Sequence, residues 1–136
     1  MMPIQKLDHI LKGHAKWLKG DRDGVRAILD HADLSGADLR ERDLRSISLR
    51  EADLSQADLR GANLTDCNLS GADLRGANLD RAVLQQADIS HADLRGAFLE
   101  GADLDGADIW RSNLFSAVIS PAKLHRVLGC VDPKTH

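Results

Sequence analysis

An aliphatic side chain recurs every five residues along most of this chain. The frame has 20 consecutive positions from residue 29 to residue 124, of which 17 are Leu and three are Ile. Two residues before each of them, 16 of the 20 are Ala, and the residue between is Asp or Asn in 14 of the 20. Residues 51–79, EADLSQADLRGANLTDCNLSGADLRGANL, show the pattern most regularly. The sequence therefore predicts a five-residue unit with a small apolar residue and a Leu two places apart.

A five-residue period fits neither an α-helix nor a flat strand. In a helix, successive leucines would be rotated by roughly 140° and would lie all around the circumference. In a flat strand, an odd period would place them alternately on opposite faces. All the leucines point inward only if the chain turns a corner in every unit. Four such corners close a coil of about 20 residues, and stacked coils form a solenoid.

The units read A-[DN]-L-x-x, as in residues 52–56 (ADLSQ) and 72–76 (ADLRG), and in this they resemble the pentapeptide-repeat proteins. The resemblance implies an all-β solenoid, a right-handed quadrilateral parallel β-helix, here of about five coils. It also implies that Leu and Ala point inward while the other three positions face solvent. The absence of Pro between Pro3 and Pro121 suits an uninterrupted hydrogen-bond ladder. The predicted core includes Leu34, Leu39, Leu54, Leu59, Leu64, Leu69, Leu74, Leu79, Leu84, Ile89, Leu94, Leu99, Leu104, Ala57, Ala62, Ala72 and Ala77.

The two ends of the chain depart from the repeat. Residues 4–18 have apolar side chains at helical spacing between Pro3 and Gly20, which predicts an amphipathic helix that caps the first coil. Ser120 before Pro121 predicts the start of a short C-terminal helix that covers the last coil. We therefore divide the chain into a capping helix and turn (1–24), the repeat domain (25–120) and a C-terminal helix with a tail (121–136).

Two consecutive inward positions near the start of the repeat carry unusual residues, Arg42 and Ile47. An unpaired guanidinium in the core would be very costly, so we expect Arg42 to reach out at a corner or to pair with Glu41 or Asp66. Ile47 is expected to fill space beneath the N-terminal helix. A functional role for this irregularity is the alternative interpretation.

Apolar residues also occupy outward positions toward the other end. Val83, Phe98 and Val118 stand where Asp or Asn is usual, and Trp110 and Phe115 occupy outward positions in the last units. Exposed apolar groups of this kind mark association surfaces. These five residues are therefore the candidate interaction surface, for a homodimer or another partner. Intramolecular cover by the C-terminal helix and tail is the competing explanation.

Composition limits the class of protein. The chain has 136 residues, 43% of them apolar, and a net charge of −3, which is compatible with one domain. No apolar run reaches the length of a membrane span, and the Lys-rich start lacks the apolar region of a signal peptide, so a cytoplasmic location is expected. Cys67 occupies an inward position, and Cys130 lies in the tail. Two cysteines so placed do not indicate a disulfide framework.

No arrangement of residues in the sequence indicates catalysis. The six histidines do not converge, since His31 and His91 share a column but lie about 14 Å apart. No metal site, cofactor or phosphate-binding loop is expected, and a repeat that is net negative without a basic stripe does not favour nucleic-acid binding. We therefore expect a non-catalytic protein-binding scaffold that can self-associate through its C-terminal end. The alternatives are a DNA mimic that binds gyrase and protects it from quinolones, as the resemblance allows, or a regulatory decoy of a signalling protein that uses Arg40 and Arg60.

Overall fold

The chain forms a stack of coils flanked by two helices. The computed structural model describes residues 1–129 and contains helix α1, Ile4–Leu18, and helix α2, Pro121–Val127. Between them the backbone pairs through isolated parallel bridges of one residue, each joining a residue to the one 20 positions later. The first bridge is Ile28↔Ser48 and the last is Phe98↔Val118, and no longer strand occurs within residues 1–129.

The bridges are short because each coil turns a corner every five residues. On each side, the Leu amide of one coil bonds to the coil above, as from Leu54 N–H to the Asp73 carbonyl at 2.8 Å. The Asp73 amide returns a bond of 2.9 Å to the Ala52 carbonyl. Each corner is closed by a bond such as that from Ala57 N–H to Leu54 O at 3.0 Å. The hydrogen bonds between coils therefore recur every five residues, with the same period as the sequence.

The corners impose a positive φ on residues of many types. The third residue of the turn has φ near 60°, as in a type II turn, even where it is His31, Gln56 or Arg81. Six of the seven glycines at this position follow the rule, and the exception is Gly101. The coil therefore sets this conformation wherever it repeats, and Gly101 marks a corner where the regular geometry changes.

The interior is a column of leucines lined with alanines. Leu54, Leu64 and Leu74 have no exposed surface, and the small inward positions Ala62 and Cys67 are equally enclosed. Every one of the 17 residues of the expected core is buried. Outside the column, Asp and Asn side chains accept bonds from the amide two residues later, as from Ser55 N–H to Asp53 Oδ1 at 3.0 Å. These Asx turns hold the corners in place.

Helix α1 contacts the first coil. It buries Leu7, Leu11 and His14. Ile4 and Ala15, which share the helical spacing of the apolar residues, are both exposed, so the buried side of α1 is the one that carries Leu7, Leu11 and His14. His14 Nδ1 accepts a bond of 3.0 Å from Ala27 N–H, and Nε2 lies 2.7 Å from the Arg45 carbonyl. Because Nδ1 accepts, Nε2 carries the proton and donates to Arg45 O, so one ring connects α1 to the beginning and the end of the first coil.

Helix α2 begins as the sequence indicates, with Ser120 as its N-cap and Pro121 at its first position. The Ser120 hydroxyl oxygen accepts a bond from Lys123 N–H at 3.2 Å. The Lys123 ammonium group donates to the carbonyls of Leu99, Glu100 and Ala102, around the irregular corner at Gly101. In a regular coil the carbonyls of Glu100 and Ala102 would instead accept bonds from backbone amides of the neighbouring coils. Lys123 therefore ends the hydrogen-bond ladder on this side of the stack.

Candidate interaction surfaces

Four large apolar side chains are exposed around the C-terminal end of the stack. Trp110 is 64% exposed and Phe115 77%, while Phe98 and Val118 are each nearly half exposed. We call these four residues the C-terminal rim. Helix α2 leaves them uncovered. The tail that was the other candidate cover, including Cys130, lies outside the described residues.

The C-terminal rim follows the circumference instead of forming one compact patch. Phe98 and Val118 are bridged to each other and share a column with Asn78. By the 20-residue period, Trp110 continues the column of Ser70 and Ser90, and Phe115 that of Ser55, Arg75 and Arg95. The fifth predicted residue, Val83, is half-buried and bridges to Asn63 and Asp103 on a different side. The apolar substitutions therefore surround the end of the stack, and Val83 lies apart from them.

The C-terminal end also leaves backbone groups of the last coil unpaired. In the coil below, Leu84, Ile89 and Leu94 donate their amides to the carbonyls of the next coil. Their counterparts one coil later, Leu104, Ile109 and Leu114, have no hydrogen-bond acceptor among residues 1–129. Ile109, Leu114 and Ile119 are also only half-buried at the end of the leucine column. The end is thus an open β-edge with an apolar interior beside it, a combination that favours association.

Acidic and basic side chains of the lateral faces neutralise each other. Where a unit reads D-L-R, the Arg folds back onto the Asp two residues earlier. Arg75 donates bonds of 2.8 and 2.6 Å to the two Asp73 carboxylate oxygens. These bonds hold the pKa of the Asp73 carboxyl below its usual value, because they favour its charged form. The same pairing occurs at Asp38–Arg40, Asp43–Arg45, Asp58–Arg60 and Asp93–Arg95.

Of the irregular pair, Arg42 is bonded to α1 and Ile47 is in the core. Arg42 does reach out and pair, but the predicted acids were wrong, since its Nη2 binds Asp8 Oδ1 of α1 at 2.8 Å. Glu41 instead binds Arg81 at 3.2 Å. Asp8 could not be chosen from the sequence, because periodicity does not give the angle at which α1 crosses the coil. Ile47 is fully enclosed in the core.

The repeat itself identifies the family. A family model described as pentapeptide repeats (8 copies) matches residues 27–66, 62–101 and 82–120, which together are more than half of the chain. The chain belongs to the pentapeptide-repeat family. Pentapeptide-repeat proteins are in general non-catalytic scaffolds, and the comparisons indicate no enzyme family.

Several solved pentapeptide-repeat structures are similar to the chain. HetL of Nostoc sp. strain PCC 7120, a protein involved in heterocyst differentiation regulation, is 39% identical over 68% of this chain and 46% of its own, with a TM-score of 0.38. Rfr23 of Cyanothece 51142 is 37% identical over 68% of this chain and 64% of its own, with a TM-score of 0.37. A protein of the Arabidopsis thaliana thylakoid lumen is 32% identical over 67% of this chain and 63% of its own, with a TM-score of 0.39. The chain spans less than two thirds of the length of each. No curated protein matches it.

Chemically reactive groups of this pentapeptide-repeat chain are dispersed or enclosed. Within residues 1–129, no group of three or more His, Cys, Asp or Glu side chains is arranged to hold a metal ion. His31 instead binds Glu51 at 3.2 Å. Burial raises the pKa of the Cys67 thiol to about 12, so it is a core residue and not a nucleophile. Over the same residues, no helix has the length and apolarity required to cross a bilayer.

The sequence-based prediction missed a second exposed apolar site, at the N-terminal end. Val25 is 68% exposed and Ile28 57%, and both line a groove beside α1. A signal for it was present, because Ile28 stands in the column of Ser48, Asn68, Asp88 and Asp108. Ile28 departs from the polar residues of its column as clearly as Phe98 departs from the Asp and Asn residues of its own column. The prediction gave weight to such exceptions only at the C-terminal end.

Proposed function

We propose that this chain is a non-catalytic scaffold for protein contacts and that it self-associates through the C-terminal rim. The observation that carries the proposal is the coincidence of exposed aromatic side chains with the open β-edge at the same end. Trp110 and Phe115 lie beside backbone amides of Ile109 and Leu114 that have no acceptor within residues 1–129. A second copy that approaches end to end would bury the aromatic rings and pair the free amides.

The experiment is sedimentation velocity on the full chain over a range of concentrations. We expect the wild-type protein to form a dimer that dissociates on dilution. In the double variant Trp110→Ser/Phe115→Ser, each new serine has a counterpart in its own column. These counterparts are Ser70 and Ser90 for position 110 and Ser55 for position 115, so the fold should be preserved. This variant is expected to be monomeric at concentrations where the wild type is dimeric, because the buried aromatic area is lost.

The variant Val83→Asn is the matched control. It also replaces an outward apolar residue by a residue found in its own column, Asn63, but it lies away from the C-terminal rim. It should leave the dimer intact. A wild-type protein that is monomeric throughout, or a dimer that the double variant does not weaken, would exclude self-association through the rim.

The two other predicted functions receive less support from the charges of the lateral faces. A DNA mimic requires an uncompensated acidic surface, whereas the carboxylates of Asp58, Asp73 and Asp93 each bind an arginine. A decoy that uses Arg40 and Arg60 requires their guanidinium groups to be available. Both groups donate two bonds to their own aspartates, so a partner would have to displace these contacts.

For the fold, we propose that residues 25–120 form a right-handed quadrilateral β-helix of about five coils, with the segments 1–24 and 121–136 as its caps. The bridges between residues 28 and 118 support the repeat domain. Burial of Leu7 and Leu11 of α1 and the contacts of Lys123 support the two caps. A cytoplasmic location stays a prediction from the sequence.

A further inference from the structure

A groove with a volume of about 660 Å³ lies between helix α1 and the segment that enters the first coil. Its apolar surface comes from Ile10 and Gly13 on the helix and from Val25, Ala27 and Ile28 on the coil. Gly13 widens the groove because it has no side chain, and the main chains meet there, with Val25 N–H donating to the Gly13 carbonyl at 3.0 Å. The groove is outside the leucine column, and it is at the opposite end of the stack from the C-terminal rim.

The edge of the groove is basic. Lys12, Lys16 and Arg26 line it, together with His9 and a single acid, Asp23. Arg26 already donates a bond of 2.7 Å to the Ser46 carbonyl and lies over the Trp17 ring. No carboxylate among residues 1–129 lies within ion-pair distance of Lys12 or Lys16, in contrast to the paired arginines of the lateral faces. The two lysines are therefore available to an external anion.

We propose that this groove binds a long-chain carboxylate, with its aliphatic tail on Ile10, Val25 and Ile28 and its head group between Lys12 and Lys16. An apolar surface with a few charged groups at one edge is the usual arrangement of a small-molecule site, and the volume is within the usual range for such sites. The ammonium groups of Lys12 and Lys16 select the anionic head. The proposal is independent of self-association, which uses the other end of the stack.

A single-chain carboxylate suits the groove better than a membrane surface does. The apolar residues line both walls of the groove, Ile10 on the helix and Val25 and Ile28 on the coil, so that an aliphatic chain would contact both walls. Insertion into a bilayer requires apolar groups that protrude from a basic face. Two further lysines lie outside the groove, Lys6 on helix α1 and Lys19 at its C-cap, and these provide an internal test of whether binding depends on position or only on charge.

The experiment is a titration of the ¹⁵N-labelled full chain with sodium decanoate below its micelle concentration, followed by amide chemical shifts. We expect saturable shifts at Gly13, Val25 and Ile28, with a Kd in the range of about 0.1–1 mM, since the tail is only partly enclosed. Affinity should rise from hexanoate to decanoate by at most about fourfold for each methylene group. Decanol, which has no charged head, should bind more weakly.

Two pairs of matched variants separate the groove from general charge. The double variant Lys12→Ala/Lys16→Ala should weaken decanoate binding by about tenfold, whereas Lys6→Ala/Lys19→Ala has the same change in net charge and should leave it within about twofold. Ile28→Asn introduces the residue present at Asn68 in the same column and should weaken binding, whereas Val83→Asn should not.

Three results would overturn the proposal. The first is the absence of saturable shifts at millimolar decanoate. The second is an equal loss in both lysine double variants, since that would show an electrostatic effect of the whole helix. The third is binding to anionic phospholipid vesicles without saturable binding of free decanoate, which would show a membrane surface instead of a small-molecule site.

Discussion

Single residues that break the repeat are explained by their contacts with neighbouring elements. Arg42 can occupy a small inward position because Asp8 of α1 holds its guanidinium outside the column. His14 is completely buried, yet both ring nitrogens are bonded, so it connects α1 to the first coil at two points without an unpaired polar atom. The sequence indicated that Arg42 had to reach out at a corner or be paired, because burying its charge alone would be costly. It could not identify Asp8 or the role of His14, because both depend on how α1 crosses the coils.

Two glycines in the same region should respond oppositely to alanine. A Cβ at Gly24 would lie 2.2 Å from Trp17 N and 2.4 Å from its Cα, so the turn approaches the helix backbone too closely for any side chain. A Cβ at Gly13 would lie 3.8 Å from Val25 O, which is ordinary contact, and would remove a glycine from the middle of a helix. We expect Gly24→Ala to lower the free energy of unfolding by about 2 kcal/mol or more. Gly13→Ala should raise it by about 0.5–1 kcal/mol.

Urea unfolding followed by circular dichroism measures both changes. Because each substitution adds one methyl group to the same region, each variant serves as the control for the other. A Gly24→Ala variant as stable as the wild type would show that the turn does not pack directly on α1.

At the scale of elements, the five-residue period predicts a chain that turns at every unit, and the bridges between residues 20 apart show this pairing. The apolar spacing gave the helix at residues 4–18, which are the observed bounds of α1, and Ser120 with Pro121 gave the start of α2. Periodicity could not give the side of α1 that is buried or the groove beside it. Both follow from the angle of packing between two elements, which no repeat in the sequence encodes.

Lys123 should contribute most of the attachment of α2. Its ammonium group donates to three carbonyls around Gly101, whereas Arg126, on the same helix, makes a 3.8 Å contact with the exposed Asp105. Lys123→Met keeps the length and apolar body of the side chain but removes the donors. It should lower the free energy of local unfolding of α2 by about 1–2 kcal/mol. Arg126→Met should change it by less than about 0.5 kcal/mol.

Hydrogen exchange is the appropriate measurement, because the loss is local. The amides of Leu124 and Leu128, which bond within α2 and its cap, should exchange faster in Lys123→Met while amides of the central coils stay protected. Equal exchange in the two variants would show that the three carbonyl contacts do not hold the helix.

At the scale of the whole molecule, the repeated residues stabilise the fold, and the residues that break the repeat are the ones available for recognition. The leucine column and the bridges are the same from coil to coil, and the paired charges make the lateral faces similar to one another. The exposed apolar residues that differ from their counterparts one coil away are at the ends, at Val25 and Ile28 on one side and at Trp110 and Phe115 on the other. The repeat therefore predicts the shape well and the partners poorly, since recognition needs residues that differ from their neighbours.

The paired charges of the lateral faces predict how stability depends on pH. The side chains of Arg45, Arg60, Arg75 and Arg95 hold the pKa values of Asp43, Asp58, Asp73 and Asp93 below the ordinary 3.8, mainly by hydrogen bonds to the charged carboxylates. An unfolded chain that lacks these bonds takes up protons at higher pH than the folded chain does. The stabilisation is therefore fully present above about pH 5 and is lost as the pH falls through the lowered pKa values of the folded state.

Urea unfolding between pH 7 and pH 2 should show this loss, and the double variant Arg60→Met/Arg75→Met should reduce it. The variant should differ little from the wild type at pH 7, because the pairs are largely solvent-exposed and each contributes modestly there. The difference between the two proteins should shrink further as the pH falls and the aspartates take up protons. If the variant instead loses stability with acid as steeply as the wild type, the acid sensitivity comes from other groups. The pairs of Arg60 and Arg75 with their aspartates would then not stabilise the coils.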